Sequence, residues 1–275
     1  MVTFPSLGLE FNINRVAFSI FEIDIYWYAI LIVSAILIAF LILKINDKKC
    51  NIDYKDILDL SIFLIPISII CARLYYVVFD LDYFFKNPSQ IFNIRDGGLA
   101  IYGGIIGGVI TCYIFCKKKN IKFLDLLDYL VPCLALGQAI GRWGNFVNVE
   151  AYGTKTDNFF RMGILENGKY IEVHPTFLYE SISTFIIFII LMFMTKRRKF
   201  AGELTYIYLI LYSFERFFVE GLRTDSLMLF NFRISQVLSL VIFVFSCIML
   251  IINIIKIRNM SKNAEKNNTK LLQKK

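Results

Sequence analysis

Three stretches of this chain, residues 25–43, 97–116 and 234–255, contain no charged side chain. Each has about the 20 residues needed to carry an α-helix across roughly 30 Å of hydrocarbon. A helix that is apolar on every side must be surrounded by apolar material, so three of them constrain the fold to a membrane. Four further stretches are apolar but hold ionisable residues: 57–79 with Asp59 and Arg73, 123–140 with Asp125 and Asp128, 177–195 with Glu180, and 204–219 with Glu215 and Arg216. Together they predict an all-α integral membrane protein of about seven transmembrane helices. Composition points the same way. Hydrophobic residues make up 57% of the chain and charged residues 19%, against roughly 45–50% and 25% in soluble domains. A disordered chain is excluded on the same ground.

The formal charge is +8, and its placement sets orientation. Nineteen of the thirty Lys and Arg lie in four segments, 44–55, 117–122, 196–199 and 256–275, on alternate connections. The positive-inside rule puts those segments in the cytoplasm and the N-terminus outside. An odd number of spans requires the same arrangement. The surplus charge is therefore topological and does not point to a nucleic-acid partner. The first 24 residues carry no basic segment ahead of the apolar run, so no cleavable signal peptide is expected. The expected organisation is one multispan membrane domain over 1–260 with an outer head loop over 141–174. A basic, polar, disordered cytoplasmic tail follows over 261–275. Cys71, Cys112, Cys116, Cys133 and Cys247 fall inside spans and Cys50 in a cytoplasmic loop. They read as small apolar residues, not as a disulfide framework. Cys112 and Cys116 are one helical turn apart but have no further metal ligands beside them.

The unusual residues collect toward the outer side. Ten of the fifteen glycines lie between Gly97 and Gly153. Gly104, Gly107 and Gly108, deep in the third span, suit close helix packing. Gly97 and Gly98, after Asp96, suit backbone N–H groups turned toward an anion. The run GRWGNFVNVEAYG, 141–153, opens the head loop and packs Arg142, Asn145, Asn148 and Glu150 together. An arginine offers a planar fork that matches a phosphate and never loses its charge. Asn and Glu can orient that fork. Arg216, Glu220 and Arg223 in RFFVEGLR fall at helical spacing on one face, where ionisable residues in a span are functional candidates. Arg73 reads equally as a structural and as a functional residue. His174, the only histidine, precedes Pro175 at the start of the fifth span. It suits positioning of a helix start better than proton transfer. Tyr28 sits with Tyr26 and Trp27 where an interfacial aromatic belt is routine.

Other motifs exclude chemistry. There is no GxSxG elbow and no HExxH zinc site. Gly163, Gly168 and Lys169 imitate a phosphate loop, but Tyr170 stands where Ser or Thr would hold magnesium. Asn167-Gly168 reads better as a two-residue hairpin turn, giving the head a short β element.

Permanent cations held by acids and amides at the outer interface suit an anionic lipid headgroup. Residue types alone do not separate a lipid-using enzyme from a transporter or flippase for an anionic lipid or solute. Embedded charges and Gly-interrupted helices fit transport. The lack of an inverted repeat, and charges near one face instead of the midplane, speak against it. A purely structural scaffold leaves the arginine cluster without a role.

Four motifs in this order, RDGGLAIYGG, GRWGNFVNVEAYG, HPTFLYE and RFFVEGLR, resemble the prolipoprotein diacylglyceryl transferase family, and YWY in the first span and SQVLS in the last agree. The resemblance covers about 26–240. It implies a seven-helix fold with an outward-facing head in the bacterial cell membrane. It also implies transfer of a diacylglyceryl group from phosphatidylglycerol to the lipobox cysteine thiol of a prolipoprotein signal peptide. The product is a thioether, glycerol phosphate leaves, and no metal, nucleotide or other cofactor is used. By the same resemblance Arg142 and Arg216 handle the phosphate, with Glu150 and Tyr102 beside them in the catalytic set. Asn145, Gly153, Tyr28, Glu220 and Arg223 belong with substrate binding by that resemblance, and Gly97, Gly98 and His174 are counted with them from their residue chemistry and position. Many members have His where this chain has Tyr102, so that base is not available here. Either Tyr102 has a weaker polar role, or the positive field alone activates the thiol.

Overall fold

The computed structural model describes residues 1–46, 52–94, 97–224, 228–230 and 232–272. Cys50 and Asp96 lie outside the described residues. The chain opens with four short strands, β1 (Val2–Phe4), β2 (Leu9–Phe11), β3 (Val16–Ile20) and β4 (Ile23–Tyr26). Helices α1 (Trp27–Asn46), α2 (Tyr54–Val78), α3 (Leu81–Lys86), α4 (Ile101–Lys119) and α5 (Phe123–Asn148) follow. Strands β5 (Met162–Glu166) and β6 (Lys169–Val173) precede α6 (Thr176–Thr195) and α7 (Glu203–Leu222). A last pair, β7 (Met228–Leu229) and β8 (Phe232–Arg233), leads into α8 (Ile234–Leu272). The sequence thus yields a mostly helical protein with a small sheet region.

Among the described residues six helices, α1, α2, α4, α5, α6 and α8, are long and apolar enough to cross a membrane. They carry apolar side chains on their outsides: Leu37 and Leu41 of α1, Ile62 of α2, and Val241 and Phe245 of α8 are all more than half exposed. The expected seventh span, α7, has the length but not the composition. Its 20 residues include Glu203, Glu215, Arg216 and Glu220, and each ionisable group in hydrocarbon is costly. The last helix passes Ile255 and runs through most of the segment read as a disordered tail. That segment contains no Gly or Pro to stop a helix.

The chain divides into two compact units, residues 43–129 and residues 1–42 with 130–275, the boundaries falling inside α1 and α5. In the 43–129 unit, α4 lies against α2 through glycine. A Cβ on Gly107 would stand 2.6 Å from the Cys71 Cβ, so only glycine permits this approach. Arg73 is held by structural contacts. It is 8% exposed, and its guanidinium lies over the rings of Tyr76 and Phe84. Its Nε donates to Ile91 O at 2.9 Å, Nη2 to Gln90 O at 2.5 Å, and Nη1 to Gly97 O and Gly98 O at 3.0 and 2.8 Å. Gly97 and Gly98 precede α4 at φ +97° and +73°, a conformation that only glycine adopts without penalty. Their carbonyl oxygens accept from this cation. At the other end of α4, Lys119 pairs with Asp56 and Asp59 at 2.8 and 3.1 Å. That exposed contact adds little stability.

In the other unit a four-stranded antiparallel sheet has the order β2-β1-β5-β6. Val2 faces Ile164, and Met162 faces Val173. The β5–β6 turn is the expected Asn167-Gly168 pair, with φ +51° and +77°, as a type I′ hairpin requires. One face of the sheet buries Val2, Phe4, Met162, Ile164 and Val173 against Phe177 of α6, with Phe146 and Val149 packed beside them. Deeper, Val131 and Ala135 of α5 meet Ile187 and Leu191 of α6 and Leu204 and Tyr208 of α7. These two cores hold the ends of α5, α6 and α7 in place. α5 does not end near Ile140: it continues through Arg142 and Asn145 to Asn148. The extra turns persist because Trp143 and Phe146 pack their rings on Phe177.

Candidate functional site

Helices α5, α6 and α7 bring three arginines onto one carboxylate. Glu180, in the second turn of α6, is 1% exposed. Its Oε2 pairs with Nη2 of Arg142 on α5 and with Nη1 of Arg216 on α7, the latter at 3.0 Å. Its Oε1 faces Nη1 of Arg223 at 3.4 Å. Arg216 uses its other terminal nitrogen on Glu220, one helical turn away, at 2.6 Å. The expected face of Arg216, Glu220 and Arg223 is therefore real for the first two. Arg223 arrives differently: it follows the end of α7 with extended backbone, φ −73° and ψ 147°.

The GRWGNFVNVEAYG motif is a hydrogen-bonded relay. Arg142 Nη1 donates to Asn145 Oδ1 at 3.2 Å, and Asn145 Nδ2 donates to Glu150 Oε1 at 2.8 Å. Asn148 Nδ2 reaches the same Glu150 oxygen at 3.3 Å. Arg142, Asn145 and Asn148 stand at helical spacing on α5, and Glu150 follows in a strained turn. Val149 and Ala151, on either side of it, have φ +53° and +56°. That conformation is disfavoured for any residue with a Cβ and most for a β-branched one. Thr176 Oγ1 holds the turn by donating to Ala151 O. Strain of this kind persists where surrounding contacts over-determine it, typically at functional sites.

Two glycines of the motif are close-approach positions. A Cβ on Gly144 would enter the Tyr28 ring, so Gly144 is what seats Tyr28 against α5, within electrostatic reach of Glu150 and Arg142. A Cβ on Gly153 would stand 2.7 Å from the His174 Cβ and 3.1 Å from Leu222 O. Here the head loop joins the start of α6 to the end of α7. Gly153 N donates to His174 O at 2.9 Å, Thr154 N donates to Leu222 O at 2.7 Å, and Gly153 bridges Arg223. His174 accordingly works through its backbone, and its Nδ1 lies 3.3 Å from Tyr179 Oη. Burial holds its imidazole below the usual pKa.

Of the residues expected at a site, Arg142, Asn145, Glu150, Gly153, Tyr28, His174, Arg216, Glu220 and Arg223 are in this unit, linked by the contacts above. Tyr102, Gly97 and Gly98 belong to the 43–129 unit, where the Tyr102 ring lies 6.5 Å from that of Tyr75. The central residue, Glu180, was visible in the sequence as a lone acid in an apolar span but carried no assigned role. The cost of such a placement was the signal. Trp143 Nε1 donates to Ser181 Oγ at 3.1 Å, and Ser181 Oγ donates to Ala139 O at 2.9 Å. Those bonds tie α5 to α6 beside Glu180.

Three guanidinium groups share two carboxylates, Glu180 and Glu220, so this network keeps a net positive charge. Its side chains are fixed by hydrogen bonds and face one another from separate helices. Guanidinium groups so placed are chemically suited to an anion, as bidentate, permanently charged donors.

The chain matches the prolipoprotein diacylglyceryl transferase family over residues 15–252. It is similar to the phosphatidylglycerol–prolipoprotein diacylglyceryl transferase of Finegoldia magna, with 53% identity over 84% of this chain and 92% of that protein. The protein of the same name from Clostridioides difficile is 50% identical over 83% of this chain and 90% of its own length. That of Bacillus cereus is 45% identical over 90% and 94%. The motifs that hold the arginine network lie inside the matched region, and the chain belongs to the prolipoprotein diacylglyceryl transferase family.

Proposed function

We propose that this protein is a transferase that moves the diacylglyceryl group of phosphatidylglycerol to the cysteine thiol of a prolipoprotein, the first step of lipoprotein maturation. The observation that carries the reading is the convergence of Arg142 and Arg216 on Glu180 within the matched motifs. Arg142 and Arg216 bind the lipid phosphate, and Arg223 and Glu220 hold the cluster in register. Asn145 and Glu150 fix the Arg142 fork, and Tyr28 packs on α5 beside them. Gly153 and His174 join the head loop to α6 and α7. The arginines neutralise the phosphate as charge develops on the leaving glycerol phosphate. The same field favours a thiolate, the reactive form of the lipobox cysteine. Displacement at the glycerol carbon next to the phosphate ester forms the thioether. Transport of an anionic lipid, the alternative drawn from residue types, does not account for a family named for transfer.

The bilayer supplies the lipid. In this reading α7 is a seventh span whose ionisable residues face α5 and α6 and not lipid. The N-terminus lies outside, the C-terminus in the cytoplasm, and the site opens toward the outer face of the cell membrane.

The test is incubation of the purified protein in phosphatidylglycerol vesicles with a peptide bearing a lipobox cysteine. Mass spectrometry is expected to find one diacylglyceryl increment on that cysteine and none on the Cys→Ser peptide. An unmodified cysteine peptide overturns the reading.

A further inference from the structure

We infer that Glu215 is the proton acceptor of the transfer reaction, a role that rests on the reading above. Converting a thiol to a thioether releases one proton, so some group beside the arginines must take it. The other candidates in the same unit already have partners. Glu180 holds Arg142, Arg216 and Arg223. Glu220 holds Arg216, and Glu150 accepts from Asn145 and Asn148. His174 lies against Tyr179. Glu215 is different. Both of its oxygens are shielded from solvent, and neither accepts a hydrogen bond from any described residue. It immediately precedes Arg216 on α7. The groups that act on it electrostatically are Arg142 from α5, Glu180 from α6, and Arg216, Tyr208 and Tyr212 from its own helix. An uncommitted carboxyl group is therefore held within electrostatic reach of Arg142 and Arg216.

Charge balance favours this placement. Arg142, Arg216 and Arg223 exceed their paired carboxylates, Glu180 and Glu220, by one positive charge, which an ionised Glu215 offsets and its protonation restores. In the transfer step the cysteine S–H proton moves to a Glu215 oxygen, and the sulfur electron pair forms the bond to the glycerol carbon. The C–O bond to the phosphate breaks with its pair on oxygen. The phosphodiester begins with one negative charge and leaves as a monoester with two. The cluster gains one positive charge at the same moment, because Glu215 has become neutral. Glu215 then returns its proton to water or to the departing phosphate.

The experiment measures kcat, KM for phosphatidylglycerol and the pH profile for wild type, Glu215→Gln and Glu215→Asp in the vesicle assay. Glu215→Gln is expected to lose kcat by about 100-fold, to lose the acid limb of the profile, and to leave KM unchanged. Glu215→Asp is expected to keep the acid limb with a reduced kcat. Glu215→Gln at wild-type kcat, or with lower kcat and the wild-type acid limb, overturns the role. If Glu215→Gln does not fold, Glu215→Asp at wild-type kcat overturns it instead. A wild-type protein that makes no thioether sinks the transfer reading itself.

Discussion

Arg142 and Arg216, 74 residues apart in sequence (216 − 142), share a single atom, Oε2 of Glu180. Their forks are thereby held side by side, each with a second anchor, Asn145 for one and Glu220 for the other. Removal of either is expected to lower turnover by about 10²–10³-fold, the loss seen when one preorganised oxyanion donor is deleted. Arg142→Ala and Arg216→Ala are compared in the vesicle assay. Arg→Lys is expected to rescue little, because an ammonium cannot bond two partners in one plane. Wild-type rates in both alanine variants would falsify the phosphate-binding role.

Glu180→Gln keeps the volume of the side chain and removes the charge on which three cations converge. Breaking a buried ion pair by deleting one partner costs about 3–5 kcal/mol. The arginines retain 11–22% exposure, so a value near the lower end of that range, about 3 kcal/mol, is expected. It is read as a fall in thermal unfolding temperature. Deleting one of the now unbalanced cations, in Glu180→Gln with Arg223→Gln, is expected to restore part of the loss. No recovery in the double variant argues that Glu180 acts by packing alone.

Gly144→Ala tests whether the motif glycine exists to seat Tyr28. The new methyl enters the ring, and overpacking of this kind costs about 1–3 kcal/mol. In a Tyr28→Ala background the same change is expected to be nearly neutral, because the obstacle is gone. A double-mutant cycle on unfolding temperature measures that coupling. An equal cost in both backgrounds excludes the Tyr28 contact as the reason for the glycine.

How much of this was legible in the sequence depended on whether the deciding contact was local. The charge-free spans follow from an apolar run alone, and the Asn167-Gly168 turn from two residues. Pairs one turn apart, such as Arg216 with Glu220, follow from helical spacing. The pairing of Val2 with Ile164 does not, because a strand of three residues carries no periodicity. The continuation of α5 past Gly141 depends on Phe177 from another helix. Arg73 was ambiguous because its partners are backbone carbonyls, which have no sequence signature. Glu180 was visible as an anomaly, yet its meaning required knowing which three helices meet around it.

The Arg73 clamp is the expected stability determinant of the 43–129 unit. Arg73→Lys keeps the charge but cannot reach four carbonyls at once. Each buried acceptor left unpaired costs about 1–3 kcal/mol. Gly98→Ala attacks the same contact from the other side, since its Cβ would overlap Arg73 Nη1. Both variants are expected to lower the unfolding temperature and to speed proteolysis at 90–94. Their double variant is expected to be little worse than either single one, because the two share one interaction. Additive losses would separate them.

His174 should leave a signature in the pH dependence of stability. Burial depresses its pKa below the ordinary value of 6.5, so near that pH the unfolded chain binds more protons than the folded one. Stability from this residue is fully present above 6.5 and is lost as pH falls through the folded value. The unfolding temperature is therefore expected to drop on acidification across the window just below the ordinary histidine pKa. His174→Gln, which keeps a polar side chain without a titrating group, is expected to flatten that part of the curve. Because Gly153 and Thr176 bond the His174 carbonyl and not its ring, the variant retains the junction between the head loop, α6 and α7. An unchanged slope in His174→Gln would assign the acid sensitivity to the carboxylates around the arginines instead.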